Sequence, residues 1–396
     1  MRILHVARYG SVRGGAETYV RALCDGLRDA GHQVALAFAL EPDRSRDEVR
    51  EGFEIRALAG DTTPDVEALH AALGSFAPDV VHVHMPDVPW VARAAAQRAP
   101  VLLAVPDHRV HCPVGTKYWA AWKRICTVDP GARCLMYNVI AHCGSLRANV
   151  TLKPYKGWRE THDAAAAVHL QVFSGWIRDR IVESGIDERL VTVTHYPVPP
   201  AVTAIDPPGG ERRPVVLASG RLNKEKGFHQ LIDALTSVET PVHLVIAGDG
   251  HERHALEARA RTAPGPHRIT FTGWLTASEL AGWMRQAALV AVPSMWPEPF
   301  GIIGIEAMAA ARPVLAFDAG GIREWLDDGV TGRIVAHGDV RALGRTIDEL
   351  VRDPAARQRM GDAGRQQAQL RFSLVSHVER VIALYGTVRR EREGAA

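Results

Sequence analysis

Apolar and polar positions alternate in blocks along this chain, and the blocks keep two rhythms. Largely apolar runs at 3–7, 34–40, 53–58, 80–83 and 101–105 read as buried strands. The stretches between them at 16–30, 66–76 and 91–99 repeat apolar residues at helical spacing. In the first of these, Val20, Leu23, Cys24 and Leu27 share a face, and Gly31 fits the position just past the helix end. Residues 8–15 form a glycine-bearing loop. Strand, helix, strand at this rhythm predicts an α/β fold with a doubly wound parallel sheet. The rhythm breaks over 107–143, an irregular segment, and resumes with strands at 170–173 and 191–194 around a helix at 176–183. A second alternation has strands at 215–218, 243–247, 269–272, 289–292 and 314–317. Helical patterns at 342–350, 354–370 and 375–390 complete the chain.

Length agrees with two such sheets, because 396 residues exceed one typical domain. The richest Pro/Gly stretch, 196–210, is the predicted linker. The first domain is therefore placed at 1–200 and the second at 211–371. Charge is nearly balanced, 47 Lys+Arg against 45 Asp+Glu, so nothing general points to nucleic acid or an anionic membrane surface. No apolar run approaches the roughly 18 residues of a membrane span. Residues 1–7 read as a strand followed by Arg8 and glycines, not a signal peptide. These features predict a cytoplasmic protein with reduced cysteines.

Ligands of open α/β sheets bind beyond the carboxyl ends of the strands. The most informative segment there is 294–308, Ser-Met-Trp-Pro-Glu-Pro-Phe-Gly-Ile-Ile-Gly-Ile-Glu-Ala-Met. Pro297 and Pro299 exclude regular structure from its first half. Gly301 then opens a helix that ends before Arg312 and Pro313. A fresh helix N-terminus presents unpaired N–H groups and a positive dipole end, which suits a phosphate. Glu298 precedes that terminus and Glu306 follows it. By spacing alone, the two acids also fit a capping residue and a solvated helix residue. Arg221 and Lys226 lie in the loop after the first strand of the second half. They read either as a solvated basic loop or as cations that neutralise a departing diphosphate.

Other clusters carry weaker signals. His82 and His84 share one face of a strand, but no third and fourth metal ligand follows at sensible spacing, so no metal is assigned. Cys112, Cys126, Cys134 and Cys143 lack the short knuckle spacing of structural zinc sites and read first as reduced structural thiols, with zinc or disulfides as alternatives. The chain has no Asp-x-Asp, the pairing usual where a divalent cation clamps a nucleotide diphosphate.

The 294–308 string resembles the donor-sugar signature of the family-4 retaining glycosyltransferases, and the resemblance extends in order along the whole chain. It includes Gly14-Gly15-Ala16-Glu17, His82-Val83-His84, the loop 219–227, the turn Phe271-Thr272-Gly273-Trp274-Leu275, 313–317 and 320–324. The resemblance implies a GT-B fold, two Rossmann-like domains facing a central cleft. It implies transfer of a sugar from a nucleotide-sugar to an acceptor hydroxyl without a metal or other cofactor. UDP is the default nucleotide, with GDP and ADP open. The donor would dock on the second domain. Glu306 would accept ribose hydroxyls, and Glu298 would bind the donor sugar. N–H groups of Gly301, Ile302 and Ile303 would meet sugar or phosphate. Arg221 and Lys226 would serve the chemistry, Trp274 and Leu275 would lie beside the base, and Gly14 and Gly15 would approach the donor. Arg13, Glu17, His84, Asp107, His108 and His111 would face the acceptor.

The same resemblance implies that the terminal helix, 372–396, crosses back to the first domain, with Val375, Val378, Val381, Ile382 and Tyr385 as its apolar stripe. Two departures stand out. Pro106 occupies a position usually held by a donor-facing histidine, which leaves that role to His108 or His111 or to no residue. Ala311 stands where a glycine commonly follows the helix. The expected partners are a nucleotide-sugar donor and a glycan, lipid-linked or small natural-product acceptor, with no nucleic acid. Peripheral membrane contact and the choice of monomer or homodimer stay open. Alternatives to transfer are a GT-B nucleotide-sugar epimerase or hydrolase, or a catalytically silent carbohydrate-binding protein.

Overall fold

A computed structural model describes residues 1–8, 15–38, 54–57, 66–144, 148–199 and 213–395. Expectations about Arg13, Gly14 and most of the linker fall outside these residues. In chain order the elements begin β1 (Arg2–Ala7), α1 (Gly15–Asp29), β2 (Gln33–Phe38), β3 (Glu54–Ala57), α2 (Val66–Phe76), β4 (Val80–Val83), α3 (Pro89–Ala96) and β5 (Val101–Val105). They continue with β6 (Tyr118–Trp119), β7 (Arg124–Ile125), α4 (Arg133–Ile140), α5 (Ala148–Ala165), β8 (His169–Val172), α6 (Gly175–Glu183) and β9 (Val191–Val193). The second half has β10 (Val215–Ser219), α7 (Phe228–Ala234), β11 (His243–Ala247), α8 (Arg253–Arg261), β12 (Arg268–Gly273) and α9 (Ala277–Gln286). The last elements are β13 (Ala287–Val292), α10 (Ile302–Ala309), β14 (Val314–Phe317), β15 (Gly332–Val335), α11 (Val340–Arg352), α12 (Pro354–Arg371) and α13 (Leu374–Ala395).

Two parallel sheets result, one ordered β3-β2-β1-β4-β5-β8-β9 and the other β12-β11-β10-β13-β14-β15. Strand order reverses between β1 and β4 and again between β10 and β13, the points at which such sheets bind ligands. The chain forms two compact units. One holds 1–117, 127–197 and 374–396, and the other holds 118–126 and 198–373. The terminal helix therefore belongs to the first unit. So does the sequence around a short excursion, the β6–β7 hairpin, whose Tyr118 joins the apolar core of the second unit.

The faces of the first sheet differ. One buries Leu4, Val6, Val81, Val83, Leu103, Val105, Leu170 and Val172 in a single apolar core with residues of α2, α3 and α6. The other carries His5 paired beside His82, along with His169 and Gln171, all buried. Helices α1 and α13 bring partners to this polar face. Tyr385 Oη lies 2.8 Å from His82 Nδ1. His377 Nδ1 lies 2.8 Å from the carbonyl oxygen of His195, which can only accept, so this nitrogen donates. Burial lowers His377 to about 4, so the ring is neutral at pH 7 and its Nε2 accepts from Tyr19 Oη at 3.1 Å. Tyr19 oxygen in turn accepts from Gln171 Nε2 at 3.1 Å.

Several sequence expectations need correction. Val375 is 70% exposed, and α13 instead buries His377, Val378, Val381, Leu384, Tyr385 and Val388. Val375 sits about 120° from Val381 around a helix with 3.6 residues per turn, off the packed face. The 107–143 segment is not wholly irregular, because it holds the hairpin and α4. Helix α4 gave no inward periodicity, since Met136, Val139 and Ile140 face outward. Helix α5 contains Pro154 and Gly157, both unfavourable in helix interiors. Strand β15 begins at Gly332, where a Cβ would stand 2.0 Å from the Val314 carbonyl oxygen. Ala311 does take a left-handed conformation (φ 52°), at about 1 kcal/mol relative to glycine.

The neutral His377 makes stability depend on pH. An ordinary unfolded histidine protonates below about 6.5, whereas the folded ring resists protonation to about 4. The unfolded state binds more protons within that window, so stability falls as pH drops through it. Urea denaturation of the full chain is expected to show this loss, and His377→Gln should make the profile shallower. An unchanged profile in the folded variant would remove His377 as the cause.

Candidate active site

At the carboxyl edge of the second sheet, three loops are drawn together by backbone contacts. After β10 the chain turns through Gly220, Arg221, a 3-10 turn at Lys224–Lys226, and Gly227, which has φ 72°. A Cβ on Gly227 would stand 1.8 Å from the Pro293 carbonyl oxygen, so only glycine permits this approach. The N–H groups of Met295 and Trp296 both donate to the Glu225 carbonyl oxygen, at 2.8 and 3.2 Å. The loop after β14 crosses the same place. Glu298 bridges to Gly320, and Gly321 N donates to the Glu298 carbonyl oxygen at 2.8 Å.

These contacts place Lys226 Nζ on both carboxylate oxygens of Glu298, at 2.8 and 2.9 Å. Ser294 Oγ at 2.6 Å and Trp296 Nε1 at 3.1 Å donate to Glu298 Oε2. The ammonium also lies 5.0 Å from the centre of the Trp296 ring. Burial alone would raise the Glu298 carboxyl. Lys226, with Ser294 and Trp296, outweighs burial and holds it below its ordinary value. Glu298 is therefore an anion, and its Oε1 has one donor and room for another.

Helix α10 starts just beyond. Gly301 (φ 95°) caps it without a side-chain hydrogen bond. Gly304 N donates back to the Gly301 carbonyl oxygen at 2.9 Å, and the N–H groups of Gly301, Ile302 and Ile303 have no partner among the described residues. Trp325 fixes its position by packing against Gly304, where a Cβ would come within 2.0 Å of the ring. Glu306 lies on the second turn and is half-buried. Burial raises it to about 7. Among the described residues its carboxyl has no hydrogen bond or ion pair. Arg221 is exposed, and its guanidinium likewise has no acidic partner among the described residues. Trp274, 58% exposed, and half-buried Leu275 follow Gly273 at the end of β12. Gly248 N donates to the Gly273 carbonyl oxygen at 2.8 Å, tying that turn to the end of β11.

The structure thus brings Lys226, Glu298 and the start of α10 together and leaves Arg221 and Glu306 unengaged. Ser294 and Trp296 complete the Glu298 site and were not foreseen as participants. Their signal was their position within the same string, four and two residues before Glu298.

In the first unit, Glu17 lies in the first turn of α1, which opens at Gly15. Asp107 accepts from Arg109 N at 3.0 Å and from Arg109 Nε at 2.8 Å. Arg109 also pairs with Asp87 at 2.6 Å, and Arg8 pairs with Asp87. Burial opposes the Arg109 charge, but Asp107 and Asp87 raise it overall. Arg8, Asp87 and Arg109 were missed, although each follows a central strand at its ligand-binding end. His108 and His111 are 0% and 1% exposed, 3.1 Å apart through Nδ1 and Nε2, and packed against Trp176. Both rings are buried, which agrees with the alternative in which no residue takes over the role of the histidine replaced by Pro106. His84 is partly exposed, and its Nε2 lies 2.9 Å from His5 Nδ1. His5, on the neighbouring strand β1, adds a third histidine to the His82 and His84 pair. All five cysteines are free thiols.

Two parallel doubly wound sheets, the second with a cation, a buried acid and an open helix N-terminus on its carboxyl edge, define the GT-B class of Rossmann-like transferases. Residues 13–202 match the profile of Glycosyltransferase Family 4, and residues 206–367 match that of Glycosyl transferases group 1. With both halves matched, the chain belongs to the family-4 GT-B glycosyltransferases. It is 33% identical over 227 residues to the alpha-maltose-1-phosphate synthase of Mycobacterium tuberculosis, covering 52% of this chain and 56% of that protein. The chain spans about half the length of the curated relatives that it matches first. Sucrose-phosphate synthase from Thermosynechococcus elongatus shares its fold with a TM-score of 0.75 at 21% identity, over 100% of this chain and 99% of that one. Anabaena HepE, solved in complex with UDP and glucose, gives 0.74 at 20%, over 98% and 100%. No described helix is long and apolar enough to cross a membrane.

The Lys226–Glu298 pair makes a testable demand. Lys226→Met leaves a buried carboxylate without its cation and is expected to cost about 1–3 kcal/mol in urea denaturation. Adding Glu298→Gln removes the charge that needs compensation, so the double variant should be more stable than the single. If the losses simply add, the pair is not coupled as described.

Proposed function

We propose that this protein transfers a sugar from a nucleoside-diphosphate donor to an acceptor hydroxyl with retention of anomeric configuration. The donor docks on the second unit and the acceptor on the first. The observation that carries this reading is the pairing of two unengaged groups on one helix: the open N-terminus of α10, and Glu306 one turn further on without a partner. The first suits a phosphate, and the second suits the hydroxyls of a ribose. HepE, which has the same fold, was solved with UDP and glucose, and this supports UDP as the first nucleotide to test. GDP and ADP remain alternatives.

In this mechanism the bond between the sugar's anomeric carbon and the diphosphate oxygen breaks, and a bond to the acceptor oxygen forms on the same face. The acceptor proton passes to the leaving phosphate oxygen. Arg221, Lys226 and the N–H groups of Gly301, Ile302 and Ile303 stabilise the charge that grows on the diphosphate. Glu298 orients the donor sugar through Oε1 while keeping Lys226 in place. Trp274 and Leu275 flank the base. The charge stabilisation comes from the chain itself, so the transfer step needs no divalent cation.

Nucleotide binding tests the reading. Ribose hydroxyls donate to an ionised carboxylate, so UDP affinity should rise as pH increases through about 7 and level off above it. Glu306→Gln is expected to weaken UDP by about 10- to 100-fold, equivalent to about 1.5–3 kcal/mol, and to flatten that profile in calorimetric titration. Unchanged affinity for UDP, GDP and ADP in the folded variant would exclude Glu306 from nucleotide binding.

A further inference from the structure

Away from the donor-side groups, a second concentration of chemistry lies in the first unit. β1 and β4 pair in parallel with His5 beside His82. His84 follows two residues later on the same side of the sheet. One ring nitrogen from each of the three lies within 4.8 Å of the others, and no other such group of three His, Cys, Asp or Glu occurs among the described residues. Of the three, the family resemblance gives a place only to His84, on the acceptor side.

Ordinary buried histidines use both ring nitrogens in hydrogen bonds. Here Nε2 of His5 and Nε2 of His82 are buried without a hydrogen-bond partner. A buried polar atom left in that state is destabilising, and a ligand that takes up its lone pair removes the cost. The other nitrogen of His82 is held by Tyr385 Oη at 2.8 Å. An outer partner of this kind fixes the tautomer and ring orientation of metal-bound histidines. His5 Nδ1 and His84 Nε2 already approach to 2.9 Å. Nitrogens on a tetrahedral zinc ion, with bonds of about 2.0–2.1 Å, stand about 3.3 Å apart, so this pair needs little movement to ligate through His5 Nδ1 and His84 Nε2, and the unpartnered nitrogen that the cation takes up is Nε2 of His82. The Gln171 side chain lies beside His82, and its buried carboxamide oxygen makes no well-formed hydrogen bond there.

We propose that His5, His82 and His84 form a binding site for one divalent d-block cation of the zinc type. Three imidazoles supply the protein ligands, and a solvent oxygen completes the coordination. A set without carboxylate or thiolate does not suit Mg²⁺ or Ca²⁺ and does suit Zn²⁺, Co²⁺, Ni²⁺ or Cu²⁺. His84, the partly exposed member, marks the route of entry. The cation ties β1 to β4 at the point where the strand order reverses. The three histidines are not among the groups proposed to hold the donor, so the site adds a metal to the protein without adding one to the transfer step.

The test uses the full chain, stripped with a chelator and then dialysed against Zn²⁺ alone, Co²⁺ alone or Mg²⁺ alone. The expected result is one Zn²⁺ or Co²⁺ per chain, no bound Mg²⁺, and a higher thermal midpoint with Zn²⁺. The Co²⁺ form should show visible ligand-field bands without thiolate charge-transfer absorption, which separates the histidines from the free cysteines. His84→Gln is expected to weaken Zn²⁺ at least tenfold and to abolish the thermal shift. No stoichiometric binding, a thiolate band, or unchanged affinity in folded His84→Gln would overturn the proposal. If His84→Gln does not fold, the stoichiometry and Co²⁺ spectrum of the unmodified chain decide alone.

Discussion

A carboxylate held away from water needs compensation, and Glu298 finds it in Lys226, Ser294 and Trp296. That requirement organises the ligand edge of the second unit. Lys226 can reach Glu298 only because Gly227 lets the loop after β10 lie against Pro293. Glu298 can hold its place only because Gly320 and Gly321 cross its backbone. Buried ion pairs contribute little net stability once desolvation is counted, so geometry is the more plausible reason for this one. It fixes an ammonium and an acid just before α10, whose first N–H groups, of Gly301, Ile302 and Ile303, have no partner among the described residues. A site assembled in advance loses less on binding a charged ligand than one that must be ordered by it.

The first unit solves a different problem. Its sheet is apolar on one face and carries a row of buried polar side chains on the other. Those side chains would be unfavourable under a purely hydrophobic layer. Helices α1 and α13 answer with Tyr19, His377 and Tyr385, so a chain of hydrogen bonds accompanies apolar packing. The helix nearest the end of the sequence is thereby specified by polar complementarity as well as by shape. Among the described residues, the same row also holds buried polar atoms without partners, at His5, His82 and Gln171.

Much of this was legible in the sequence. Buried strands give largely apolar runs, and β4, β5, β11 and β14 have the bounds that their runs predicted. The string 294–308 announced a loop, a helix start and two acids, and the structure has all three. What escaped had physical reasons. Helix α4 turns its apolar residues outward, α5 carries Pro154 and Gly157, and β15 opens on a glycine required by backbone proximity. The link between Lys226 and Glu298 spans 72 positions, and that between His5 and His84 spans 79. Periodicity reports the face on which a residue lies, but not which distant residue shares it. The burial of His108 and His111 under Trp176 was hidden for the same reason.

The central claim is that a nucleoside diphosphate sits on the carboxyl edge of the second sheet, between the loop after β10 and the start of α10. Hydrogen exchange of the full chain with and without UDP tests this place directly. The account predicts slowed exchange in peptides covering 220–227, 273–275 and 300–306, while the β1 and β4 peptides change little. Binding of UDP that protects only the first unit, or that leaves the amides at the start of α10 unchanged, would contradict it.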